Sequence, residues 1–87
     1  MQKKLHFFIV DDDPSTVEIY RQLLTKAGHH IDSVTSSTLA YDKIIELEPD
    51  CVLCDLMMPE KDGFQLLKQV RNTKNIKQPK YIIITNK

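Results

Sequence analysis

The sequence predicts an α/β fold built on a parallel sheet. Three observations carry this. Three short apolar segments read as buried strands: LHFFIV (5–10), rich in aromatic and β-branched residues and buried on both faces, CVLCD (51–55) and KYIIIT (80–85). Stretches with apolar residues at helical spacing separate them. The resulting order, β-α-β-α-β-α-β over 87 residues, fits one small domain with right-handed crossovers and helices on both faces of the sheet.

Each element has its own warrant. After 5–10, Asp13-Pro14 reads as an N-cap with proline in the first helical turn. Val17, Tyr20, Leu23, Leu24 and Ala27 then mark the apolar stripe of a helix over 14–27, stopped by Gly28. HIDSVT (30–35) is a weaker strand, since only Ile31 and Val34 are clearly apolar. Ser36 or Ser37 caps a second helix carrying Leu39, Ala40, Ile44 and Leu47, ended by Pro49. Residues 56–63, LMMPEKDG, form a loop. Phe64, Leu66, Leu67 and Val70 define a third helix to about Asn72, and NTKNIKQP is a polar connection to the fourth strand.

Composition bounds the function. Hydrophobic content is 41% and charged content 28%, ordinary for a folded domain. No apolar run approaches the ~20 residues of a membrane span. The apolar run near the N-terminus leads into acids rather than a cleavage site, so a cytoplasmic protein with reduced thiols is expected. Net charge is zero, yet all 12 acids fall before residue 63, and six bases with no acid follow it. Within it RNTKNIKQPK (71–80) has few aromatics and no recognised nucleic-acid module, and reads as a solvated loop. Cys51 and Cys54 have metal or redox spacing but lie three apart on a strand, hence on opposite faces, as core thiols. His29 and His30 could suggest a metal, but adjacent histidines in a helix–strand turn read as solvated, and Met57-Met58 reads as loop packing.

The carboxylates are the unusual feature. Asp11, Asp12 and Asp13 follow the first strand, Asp55 closes the third, and Thr85 closes the fourth. Ligands of open parallel sheets bind outside the carboxyl ends of the strands. Acids gathered there repel one another unless a cation joins them, and hard oxygen donors favour Mg²⁺, or Mn²⁺, over softer metals.

VDDDP after the first strand, CDLMMPEKDG around the third and IIIT in the fourth together resemble the receiver domain of two-component response regulators, in order from about residue 5 to residue 85. The resemblance implies a doubly wound, flavodoxin-like sheet in the order 2-1-3-4. It implies Asp55 as phosphoacceptor, charged by a sensor histidine kinase or phosphotransfer protein. Asp11 and Asp12 would hold Mg²⁺, Asp12 the more direct ligand, together with Asp55 and the backbone carbonyl of Met57. Thr85 would hydrogen-bond the phosphoryl oxygen, and Asp13 would be the helix cap. Such a module is not an enzyme toward an external substrate.

A complete receiver continues through a fifth strand and two more helices, and a lysine after the fifth strand pairs with the phosphoryl group. Residues 1–87 therefore read as a single incomplete receiver domain with no catalytic lysine, Lys87 lying just past the fourth strand. A fragment of a longer regulator is expected, or a chain that dimerises or swaps elements to cover its fourth-strand edge. The alternative function is a non-switching interaction module. A haloacid-type hydrolase would place its nucleophile after the first strand, and Asp55 argues against it. No nucleic acid or membrane is expected as a partner of these residues.

Overall fold

A computed structural model describes residues 3–85. The elements are β1 (His6–Val10), α1 (Pro14–Lys26), β2 (His30–Val34), α2 (Ser37–Leu47), β3 (Cys51–Asp55), α3 (Gly63–Arg71) and β4 (Lys80–Ile84). The four strands form one parallel sheet in the order β2-β1-β3-β4. No helix among the described residues is long and apolar enough to cross a membrane.

Local chemistry sets the element ends. Asp13 caps α1, its Oδ1 accepting from the Ser15 amide at 3.0 Å and its Oδ2 from the Thr16 hydroxyl at 2.9 Å. The left-handed residue after α1 is Gly28, φ +94°, where a side chain would add strain. Ser36 caps α2 and Glu48 closes it. Asp62 and Gln65 form a reciprocal capping box on α3.

The two central strands, β1 and β3, carry core residues on both faces. Phe8, Val10, Val52 and Cys54 meet Ala40, Ile44, Leu66 and Val70 of α2 and α3. On the other face Ile9, Ile31, Cys51 and Leu53 meet Val17 of α1, with Tyr20 and Leu24 beside them. Cys51 and Cys54 thus point to opposite faces, and burial pushes the Cys54 thiol up to about 11. The connection before β4 is less detached than its polarity suggests: Ile76 packs on the α2/α3 core, and Lys77 pairs with Asp50.

Several apolar positions depart from expectation. β4 is not buried on both faces: Lys80 and Ile82 are exposed, Ile82 by 49%. α1 lies over β1 and β2, so among the described residues that face of β4 is covered only toward Ile84, which packs against the Ile9, Val17 and Leu53 cluster. Leu23, Leu39 and Phe64 are exposed because each falls on the outer side of its helix, and Ala27 is the exposed C-cap just past the end of α1. The working stripe of α3 is Leu66 and Val70.

Candidate functional site

The carboxyl ends of β1 and β3 are neighbours in the sheet, with Val10 opposite Cys54. The residues that follow are therefore brought together. Asp11, Asp12 and Asp55 each offer a carboxylate oxygen, and these lie within 4.8 Å of one another. Asp11 and Asp55 are buried, at 5% and 8% exposure, while Asp12 opens to solvent. Asp13 turns away to cap α1, as expected of it. Thr85 is exposed and directly follows Ile84, which is in register with Asp55.

Hydrogen bonds hold the acids in place. The Asp13 amide donates to Asp11 Oδ1 at 2.9 Å, and the Met57 amide to Asp55 Oδ1 at 3.2 Å. The Met57 side chain is 69% exposed, so what that residue brings to the site is its backbone. Behind Asp55 the chain is clasped: the Leu56 amide donates to the Ile84 carbonyl at 2.9 Å, and the Gly63 amide returns to the Leu56 carbonyl at 3.0 Å. Tyr81 donates its hydroxyl to the Gly63 carbonyl at 2.9 Å.

Gly63 is required by this approach. A Cβ there would stand 3.0 Å from the Asp55 carbonyl oxygen and 3.2 Å from the Leu56 Cα. Both are backbone and cannot swing aside. Gly63→Val is expected to destabilise the fold by about 2–3 kcal/mol and to displace Asp55. Denaturant unfolding and the amide spectrum of residues 54–57 would show the two effects.

Burial raises the Asp11 carboxyl above its usual range, and the charges of Asp55, Asp12 and Asp13 add to the rise; the Asp13 amide opposes it. Among the described residues no lysine, arginine or histidine forms an ion pair with Asp11, Asp12 or Asp55. Lys87 lies outside the described residues. A buried acid whose folded pKa is raised binds its proton more tightly folded than unfolded. Stability therefore falls as pH rises through that range, and the full penalty is present at neutral pH. Asp11→Asn keeps the acceptor for Asp13 and removes the charge. In Mg²⁺-free buffer at pH 7 it is expected to gain about 1 kcal/mol, read as a Tm higher by about 4–8 °C. The gain should shrink near pH 3.5 and when Mg²⁺ is added to both proteins.

The donor set fits a hard divalent cation: carboxylate oxygens, one solvent-facing side, and repulsion that such an ion would relieve.

The response regulator receiver domain model matches residues 7–87. The chain belongs to this family. Like other receivers it has a sheet in the order 2-1-3-4 over these elements. It is 33% identical over 69 residues to the response regulator MprA of Mycobacterium sp. (strain KMS), covering 79% of this chain and 30% of that one. The gliding motility regulatory protein of Myxococcus xanthus is 29% identical over 84 residues, 97% of this chain and 11% of that one. The chain thus spans less than a third of the curated relatives it matches. The CheY-like receiver domain from Methylobacillus flagellatus superposes with a TM-score of 0.88 at 29% identity, over 95% of this chain and 70% of that one. The N-terminal domain of a receiver protein from Methanoculleus marisnigri JR1 shares the fold at a TM-score of 0.90 and 24% identity, over 98% and 69% of the two chains.

One cluster escaped the sequence reading. His30, expected as a solvated turn residue, stands opposite His6 in the β1–β2 register and shares Asp32 with it. The signal is non-local: only the parallel register, one strand against the other, brings 6 to 30.

Proposed function

We propose that this receiver accepts a phosphoryl group on Asp55 from the phosphohistidine of a sensor kinase or phosphotransfer protein. The observation that carries the reading is the convergence of Asp11, Asp12 and Asp55 at one sheet edge. An Asp55 carboxylate oxygen attacks phosphorus, the phosphorus–nitrogen bond to the donor imidazole breaks, and an aspartyl phosphate results. Asp11, Asp12, Asp55 and the Met57 carbonyl would hold Mg²⁺ or Mn²⁺, which supplies neutralisation of charge on the transferring group. The Met57 amide orients the nucleophile through Oδ1. Thr85, beside the strand residue paired to Asp55, hydrogen-bonds the phosphoryl oxygen. The modification adds about −2 charge and new acceptors at this edge, biasing the neighbouring loops. The domain is a phosphoacceptor in cytoplasmic signalling rather than an enzyme on an external substrate.

The test is intact mass after incubation with acetyl phosphate. A gain of one phosphoryl group that requires Mg²⁺ supports the reading. No gain from folded protein counts against it.

A second reading has its own observation. Among the described residues β4 pairs only with β3, and Ile82 on it is exposed, an edge suited to association. On this reading the domain is a non-switching interaction or dimerisation module. Light scattering that finds only monomer at high concentration would exclude self-association through that edge.

A further inference from the structure

At the opposite end of the strands from the acidic pocket, two imidazoles converge on one carboxylate. His6 Nε2 lies 2.7 Å from Asp32 Oδ2, and His30 Nε2 lies 3.2 Å from the same oxygen. His6 and His30 are direct cross-strand partners, and Asp32 lies two residues beyond His30 on the same face of β2. Their rings are 4.6 Å apart and tilted by 56°, so the nitrogens aim inward rather than stack. One ligand atom from each of the three falls within 4.8 Å of the others.

The backbone around them is fixed. The His30 amide donates to the Leu5 carbonyl at 2.9 Å. The His6 amide donates to Asp50 Oδ2 at 2.8 Å, and the Asp50 amide returns to the His6 carbonyl at 2.8 Å. His29 is excluded from the cluster, its Nδ1 accepting the Leu5 amide and its ring against Phe7.

We propose that His6, His30 and Asp32 form a second cation site, taking a borderline divalent ion of the zinc class. Two imidazole nitrogens and one carboxylate oxygen are the donor set of an open zinc site, with a fourth position left for water or a partner's side chain. Zinc bonds of about 2.0–2.2 Å in a tetrahedron separate ligand atoms by about 3.4 Å, so the two nitrogen–oxygen spacings of 2.7 and 3.2 Å need only small outward shifts. Imidazole nitrogen selects this ion over Mg²⁺, which the all-oxygen pocket prefers. The two sites lie at opposite ends of β1, roughly 16 Å apart along the strand, and are distinguished by donor chemistry. An ion here ties the edge strand β2 to β1 by side chains as well as backbone.

The experiment is calorimetric titration of Zn²⁺ into tag-free, chelator-stripped protein, with excess Mg²⁺ present to occupy the acidic pocket. Expected is one equivalent bound, with Tm raised by about 10 °C or more at a hundredfold excess over Kd. His30→Ala and Asp32→Asn, at partly exposed positions, are expected to fold, to be checked by Tm without zinc. Each should weaken binding by about a hundredfold, and His29→Ala should leave it unchanged. No binding by the wild-type chain would overturn the proposal. So would affinity in folded His30→Ala within about threefold of wild type, which would place the ion elsewhere. Neither result bears on Asp55.

Discussion

Incubated with acetyl phosphate and Mg²⁺, the Asp55→Asn variant is expected to show no phosphoryl gain at all, where the wild-type chain gains one group. Asparagine matches aspartate in shape, and its carbonyl oxygen can still accept from the Met57 amide that now reaches Oδ1 at 3.2 Å. The amide is a far poorer nucleophile than a carboxylate. The variant therefore removes the chemistry while leaving the packing, and with one of three clustered charges gone it should fold at least as well. A gain retained in Asp55→Asn would move the acceptor to Asp11 or Asp12, the two acids within reach. A gain in wild type that ignores Mg²⁺ would separate the acceptor role from the cation role.

Leu66→Ala is expected to lower stability by about 3 kcal/mol, within the range of about 2–5 for buried leucine truncation. Leu66 is fully buried where α3 meets the sheet and α2, in one cluster with Phe8, Val52 and Ile44. Sheet and helices close on it from several sides, so the cavity cannot collapse. A domain of 87 residues has a total stability of roughly 4–13 kcal/mol, and this loss would lower Tm by about 12–24 °C. Leu39→Ala removes the same atoms from a side chain 57% exposed on α2, and its change should stay within about 0.5 kcal/mol. Parallel thermal melts compare the two. Equal losses would mean that the α2/α3 face is not the main core.

What was legible follows from how local each signal is. The bounds of β3 at 51–55 and the Asp13 cap on α1 are written in adjacent residues, and the structure has both. The gathering of Asp11, Asp12 and Asp55 was legible because both strands end in acid and parallel topology puts those ends together. Ile82 was misread as buried because its apolar run says nothing of which helix lies above it. Leu23 and Phe64 keep helical spacing yet face outward, since periodicity gives a stripe but not its centre. The His6–His30–Asp32 cluster depends on register, which no single segment contains.

The clasp between Leu56 and Gly63 bears on what evolution or an engineer can alter. Its two ends are anchored to the frame, at Ile84 on one side and Tyr81 on the other. The residues between them close a ring whose geometry is set at its neck rather than along its circumference. Pro59 and Glu60 are exposed at the far side, and exchange there should reach Asp55 only weakly, Glu60 being tied instead to the buried Ser37 hydroxyl of α2.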